Sequence, residues 1–189
     1  MAIVKLLLEN RAEVNAKGGP FGNGLEAASY RGNKAIVELL LKNGAEVNAK
    51  GGLYGNALQA ASYWGDESIV QQLIENGAEV NAEGGLYWNA LQAASYCINE
   101  AIVKLLLENG AKVNAQGGEY GNALQAASYR GNKAIVRLLL ENGAEVNAEG
   151  GRYGNALQAA TYCINEEVVK LVIVTGNPRV SQGYPYPYP

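Results

Sequence analysis

Few side chains in this sequence could support catalysis. Its 189 residues contain no histidine and only two cysteines, Cys97 and Cys163, which occupy equivalent places in two copies of a repeated segment. Histidine is the commonest general base and metal ligand, and two isolated cysteines complete neither a zinc site nor an activated nucleophile. The Gly-Gly-x-Tyr-Gly segments are not followed by the Lys-Ser/Thr pair of a phosphate-binding loop. We therefore expect no enzyme activity, no metal and no cofactor.

Charge and hydropathy exclude two further classes of partner. The net charge is −3, and the basic residues are scattered rather than gathered into the stripe that phosphate binding requires. No apolar run approaches the roughly 20 residues that span a bilayer. The opening string recurs inside the chain at 101–109, which argues against a signal peptide. These features predict a cytoplasmic protein that binds neither nucleic acid nor membrane.

The chain is organised by a repeat of 33 residues. Gly-Gly pairs begin at Gly18, Gly51, Gly84, Gly117 and Gly150, without insertion between copies. We divide the sequence into a partial unit 1–17, complete units 18–50, 51–83, 84–116 and 117–149, a C-terminal unit 150–177, and a Tyr-Pro tail 178–189. Units this short cannot bury their own apolar faces, so they must stack on their neighbours. Stacking separates Cys97 from Cys163 by two units, too far for a disulfide.

Each unit predicts two helices. In unit 51–83 the first helix lies near Ala57–Tyr63, with Asn56 as N-cap and Gln59 in the partner position of a capping box. In unit 18–50 the second helix lies near 34–42 and stops at Gly44. The glycine-rich stretch that follows favours a tight hairpin leading to the next unit.

The repeated letters, with the period of 33 residues and the Asn-Gly-Ala-x-Val-Asn-Ala segment, resemble the ankyrin repeat. The variant with Asn-Ala-Leu-Gln in place of Thr-Pro-Leu-His is common among fungal proteins, and the resemblance runs from Ala2 to about Val174. It implies an all-α solenoid of stacked helix-turn-helix units joined by short β-hairpin loops. One departure is that Ile98 and Ile164 replace the glycine between the helices. Those units need a different turn, or they accept strain at a positive φ.

Constant positions of the repeat predict its core. The leucine column that begins at Leu25 indicates packing, and the asparagine column that begins at Asn23 indicates capping and hydrogen bonds between units. Tyrosine is unusually abundant and forms two further columns, one represented by Tyr54 and the other by Tyr63. These rings either pack on neighbouring units and the bare Gly-Gly backbone, or they present a contact surface.

Three positions differ between otherwise similar copies, and the ankyrin resemblance places them along the concave, partner-binding face. An apolar patch in the middle of the array is expected from Leu53, Trp64, Leu86 and Trp88. Exposed aromatic groups beside arginine are typical of binding hot spots. The predicted contact residues are Leu53, Trp64, Leu86, Trp88, Tyr63, Tyr96, Arg31 and Arg130. For Trp88 the alternative is that its ring only fills space opened by the loop at Ile98.

Two functions remain open. The first is a non-catalytic scaffold that binds a protein partner on its concave face. The second is a structural subunit that stacks head to tail into a filament through uncapped ends, with the Tyr-Pro tail covering the adjoining molecule. The apolar ends are equally expected if the chain is a piece of a longer fungal protein. The binding scaffold is our preferred interpretation.

Overall fold

The computed structural model of the protein describes residues 1–176, in which eleven helices follow one another. They are α1 (Ala2–Glu9), α2 (Gly24–Tyr30), α3 (Lys34–Lys42), α4 (Ala57–Trp64), α5 (Glu67–Glu75), α6 (Ala90–Tyr96), α7 (Glu100–Glu108), α8 (Ala123–Arg130), α9 (Lys133–Glu141), α10 (Ala156–Tyr162) and α11 (Glu166–Gly176). The Tyr-Pro tail assigned to 178–189 lies outside the described residues.

Each complete unit contains a first and a second helix joined by two or three residues. The first helices of successive units pack on one another, and the second helices do the same behind them. The predicted second helix, 34–42, is confirmed, and the predicted first helix extends one residue further, to Trp64. This arrangement confirms the all-α solenoid expected from the repeat.

Asparagine begins the first helices as the sequence predicts. The Asn56 side chain accepts a hydrogen bond from the Gln59 backbone N–H at 2.9 Å, and Gly44 ends α3 with φ of 84°. The prediction of a full capping box is wrong, because the Gln59 side chain does not accept a hydrogen bond from the Asn56 N–H. The Gln59 side chain turns away from Asn56 and donates to the carbonyl of Ala82, at the end of its own unit, and to that of Trp88 in the next unit.

The core is continuous from one unit to the next. Leu58 and Leu91 of the first helices are buried, as are Ile69 and Leu73 of the second helix α5. Small alanines on the first helices, such as Ala61, let successive helices approach closely. Stability therefore depends on the interfaces between units.

Five tight turns, which we call fingers, precede the first helices at residues 18–22, 51–55, 84–88, 117–121 and 150–154. In finger 51–55 the Gly51 N–H donates to the Gly55 carbonyl at 3.0 Å, and each other finger has the equivalent bond. Within residues 1–176 the predicted hairpins are thus reduced to turns with isolated β-bridges. Neighbouring fingers also bond: the Leu86 N–H donates to the Leu53 carbonyl at 2.9 Å.

A different asparagine column makes hydrogen bonds between units. The Asn48 side chain donates to the Gly77 carbonyl at 2.9 Å and accepts from the Glu79 N–H at 2.8 Å. Asn15, Asn81 and Asn114 make the same pair of bonds. The column that begins at Asn23, to which we assigned both roles, provides the caps.

The turn between the helices does not change where isoleucine replaces glycine. Ile98 and Ile164 have φ of 63° and 55°, in the same left-handed region as Gly32 at 62° and Gly131 at 70°. The expectation of a different turn is therefore wrong, and strain is accepted instead. A left-handed L-residue costs roughly 1–2 kcal/mol, which these two units must offset by packing elsewhere.

Candidate partner-binding surface

The third positions of the repeat lie side by side at the ends of the fingers and form what we call the tip row. It consists of Pro20, Leu53, Leu86, Glu119 and Arg152. Leu53 and Leu86 are joined through their backbones, and their side chains are 52% and 42% exposed. Beyond them Arg152 pairs with Glu119 at 2.9 Å. The tip row thus has an apolar centre beside an ionic pair.

The fourteenth positions form a second row, the loop row, at the ends of the first helices. It consists of Arg31, Trp64, Cys97, Arg130 and Cys163. Trp64 is 52% exposed and packs back on Tyr30 of the preceding unit, with 5.6 Å between ring centroids. The guanidinium of Arg130 likewise lies 4.9 Å from the centroid of the Tyr96 ring. Arg31 is exposed.

Trp88 does not join Trp64. Its backbone has φ of 67°, and its half-buried ring packs against Gly117 and Gly118 of the following unit. Trp64 ends the first helix α4, whereas Trp88 precedes the first helix α6, so the two indoles lie at opposite ends of the first helices, which are about 12 Å long at 1.5 Å per residue. The expected single patch is therefore not formed, although Leu53 and Leu86 do meet.

The alternative interpretation of Trp88 also needs correction. Its ring covers the glycines of the next finger, rather than a space created by Ile98. Among the described residues its Nε1 is buried without a hydrogen-bond partner. The contact explains why this copy of the repeat tolerates an indole where the others have glycine.

The two tyrosine columns interlock into one aromatic ladder. Rings from the fingers alternate with rings from the first helices, so Tyr63 lies 4.9 Å from Tyr54 and 5.0 Å from Tyr87 between centroids. The ladder comprises Phe21, Tyr30, Tyr54, Tyr63, Tyr87, Tyr96, Tyr120, Tyr129, Tyr153 and Tyr162. Tyr54 and Tyr87 are buried, whereas Tyr63 and Tyr96 are half-buried. The ladder is a second core between fingers and helices.

Comparison with protein families agrees with this architecture. A family model described as ankyrin repeats (3 copies) matches residues 25–117 and 90–181. This chain belongs to the ankyrin repeat family. Ankyrin repeats generally bind proteins and are generally non-catalytic. No curated protein matches the chain. In residues 1–176 every helix is too short or too polar to span a bilayer.

The finger tyrosines of the ankyrin ladder stay protonated at neutral pH. Burial, together with the neighbouring Tyr30 hydroxyl, raises the pKa of Tyr54 well above its ordinary value. Burial also raises the pKa of Tyr87, and that of Tyr153 rises to about 12. The burial of Tyr54 and Tyr87 fits the packing interpretation of this column.

Neither thiol is activated. Burial raises the pKa of Cys97 to about 11, and the opposing effect of Arg130 is smaller. Burial also raises the pKa of Cys163, although that side chain is exposed. Thiolates are the reactive form of cysteine, so both groups are poor nucleophiles near neutral pH. In residues 1–176 no three potential metal-ligating side chains are grouped together.

A pocket of about 580 Å³ opens beside the loop row, lined by residues 64–68 and Gln71. Its wall combines the exposed indole of Trp64 with Asp66 and Glu67. Asp66 also caps α5, because its carboxylate accepts from the Ile69 N–H at 3.1 Å. The unit thus offers an aromatic face beside acidic groups.

The sequence analysis overlooked Glu26. This residue stands where the other units of the ankyrin array have glutamine, and its side chain is fully buried. One carboxyl oxygen accepts from the Tyr54 N–H at 3.3 Å, and the other has no partner among the described residues. Burial raises its pKa to about 7. The single acidic residue in a glutamine column was the signal that could have revealed it.

Proposed function

We propose that this ankyrin array is a non-catalytic scaffold that binds a protein partner through its concave face, formed by the fingers and first helices. Leu53 and Leu86 are the principal contacts, and Trp64 is a second contact on the loop row. The observation that carries this proposal is the adjacent pair of exposed leucines. They occupy a position that varies among nearly identical units, which suits recognition better than stacking.

The two contacts suit different parts of a partner. An apolar side chain seated between Leu53 and Leu86 would bury surface worth about 25 cal/mol per Å². Trp64, with Asp66 and Glu67 beside it, suits a basic side chain that stacks on the indole. The partner we expect therefore has an apolar segment flanked by lysine or arginine.

The remaining predicted contacts have supporting roles in this proposal. Tyr63 and Tyr96 are the half-buried edge of the aromatic ladder and offer hydroxyls to a partner. Arg130 is held over Tyr96, and Arg31 extends from the end of the loop row. Trp88 acts indirectly, because its ring packs on the finger 117–121, next to its own finger, and so supports the tip row.

To test this proposal, binding proteins are captured on the immobilised full chain, and their affinities for the wild type and for variants are compared. We expect a protein captured by the wild type to lose at least tenfold in affinity for L53S/L86S. The matched control, E119S/R152S, changes the same row and retains binding. Both variants should melt within about 2 °C of the wild type, because the four side chains are exposed or partly exposed. Full affinity of L53S/L86S for every captured protein would refute the proposed site.

Self-association is a second candidate function, supported by exposed apolar side chains on α1 and on the last helices. Ile3 and Leu7 are exposed on α1, and Tyr162 and Ile164 are exposed on α10 and the turn after it. Because the units are nearly identical, these faces resemble internal interfaces. A contact between such unlike faces does not close and builds a filament.

Sedimentation velocity over a hundredfold range of concentration tests the second candidate. Self-association predicts species that grow with concentration, and I3K/L7K should abolish the growth. A single monomeric species throughout would exclude it and leave partner binding unaffected.

A further inference from the structure

In the central units a glutamine joins each first helix to the next finger. The Gln59 side-chain amide donates to the Ala82 carbonyl at 2.9 Å and the Trp88 carbonyl at 3.0 Å. Gln125 repeats this arrangement with Ala148 at 2.9 Å and Gly154 at 3.3 Å. Two hydrogen-bond donors on one buried amide therefore hold the segment just before the following finger and the last residue of that finger.

Glu26 occupies this place in unit 18–50. Its carboxyl accepts from the Tyr54 N–H at 3.3 Å. The residues equivalent to the acceptors of Gln59, 33 positions earlier, are Ala49 and Gly55, so their carbonyls are the expected acceptors for a protonated Glu26. An ionised carboxylate has no hydrogen to donate to a carbonyl, whereas a protonated carboxyl has one. The second oxygen has no partner in the described part of the chain.

No charged side chain compensates for ionisation at this place. Burial is the largest influence and raises the pKa of Glu26 to about 7, while hydrogen bonds from the Tyr54 and Gly55 amides lower it. Titratable side chains stand on every element that packs around Glu26. On the helices they are Tyr30 of α2 itself, Lys34, Glu38 and Lys42 of α3, and Tyr63 of α4. Beside or within the fingers they are Lys17, Lys50 and Tyr54. None of these side chains contributes to the shift, and the lysines and Glu38 are exposed.

We propose that Glu26 makes the docking of unit 18–50 onto finger 51–55 dependent on pH. When protonated, Glu26 donates its carboxyl hydrogen to a backbone carbonyl of segment 49–55, as the glutamines do in later units. When the proton leaves to water, that hydrogen bond is lost and a buried carboxylate faces carbonyl oxygens. The first interface then loosens while the later interfaces keep their amides. This behaviour is independent of the proposed partner binding.

The direction in which the stability of the first interface changes with pH follows from proton linkage. In the unfolded chain the carboxyl titrates near the ordinary value of 4.5, and in the folded chain near 7. Between these values the folded state holds a proton that the unfolded state has released. Stability of the first interface is therefore greatest below about pH 4.5, falls as the pH rises from 4.5 to 7, and is lowest above 7.

The experiment follows the amide resonances of Tyr54 and Gly55 in the full chain from pH 4 to 8.5, together with hydrogen exchange corrected for intrinsic rates. We expect both resonances to titrate with a midpoint well above 5. Exchange protection in α2 and finger 51–55 should fall at least tenfold between pH 5 and 8, since one pKa unit is a factor of ten. Protection in α8 should not change.

Two variants are matched controls. E26Q restores the glutamine of the other units and should abolish both the titration and the loss of protection. Q125E should transfer the same pH dependence to the contact between α8 and finger 150–154. A midpoint near 4.5 in the wild type, or an unchanged pH dependence in E26Q, would overturn the proposal.

Discussion

The indole of Trp88 covers the backbone of Gly117 so closely that a Cβ atom on Gly117 would overlap the ring. Trp88 itself has a left-handed backbone, with φ of 67°, at the position where Gly55 and Gly121 stand in other units. At Trp88, therefore, packing against the next unit stabilises the fold while the left-handed backbone destabilises it. The two effects can be separated because alanine and glycine remove the ring equally but differ in strain.

We expect Trp88→Ala to destabilise the array more than Trp88→Gly. Both variants lose the contact with Gly117, which costs about 2–3 kcal/mol on the scale of large buried truncations. Only glycine relieves the left-handed strain, so W88G should be more stable than W88A by roughly 1 kcal/mol. Urea unfolding followed by circular dichroism measures the difference.

Trp64→Ala is the comparison for these variants, because that indole is half-exposed and should contribute less than about 1 kcal/mol. If W88A unfolded at the wild-type urea concentration, the ring of Trp88 would add nothing to the stack. The large side chain at a position that is glycine in the other units would then favour direct contact with a partner.

The aromatic ladder predicts that the contribution of each ring to the free energy of unfolding depends on its burial and on the rings that it contacts. Tyr87 lies 5.0 Å from both Tyr63 and Tyr96, measured between centroids, and is buried. Tyr162, the last rung, is 67% exposed. We expect Tyr87→Ala to cost about 3 kcal/mol and Tyr162→Ala less than about 1 kcal/mol in the free energy of unfolding.

Tyr87→Phe keeps the ring and removes only the hydroxyl, so it should cost much less than Tyr87→Ala, at most about 1 kcal/mol. Thermal and urea unfolding of the three variants provide the measurement. Equal losses for Tyr87→Ala and Tyr162→Ala would show that the stacking of the rings is energetically unimportant.

The regular parts of the fold were predictable because they depend on local chemistry. Apolar spacing and Gly44 were enough to place α3 at its observed bounds, and Asn56 identified the start of α4. The period of 33 residues predicted the stacking, and the family resemblance supplied the helix-turn-helix solenoid. These features repeat in every unit, so each copy of the sequence supported the same prediction.

The site was harder to predict because side-chain direction depends on neighbouring units. Trp64 and Trp88 belong to adjacent repeats, but one packs on Tyr30 behind it and the other on Gly117 ahead of it. The contact of Tyr63 with Tyr87 likewise depends on the offset between units, which no single repeat encodes. Repeat spacing alone predicts columns, but not which neighbour each column contacts.

Ile164 and Ile98 provide a test of how the array tolerates strain. Both have positive φ, and Ile164 is 86% exposed, so its side chain offers little packing in return. We expect Ile164→Gly to stabilise the chain by about 1 kcal/mol, since glycine adopts this conformation without the Cβ penalty. Ile98→Gly should gain less, because part of that side chain is covered by neighbours.

The reverse change, Gly131→Ile, is the matched control in the same turn. There a Cβ would collide with the Asn165 side chain in addition to imposing strain, so a loss of about 2 kcal/mol is expected. Differential scanning calorimetry of the three variants measures these shifts. A lower melting temperature for Ile164→Gly would mean that its exposed side chain is stabilised by contacts that outweigh the strained backbone, and the strain account of this turn would fail.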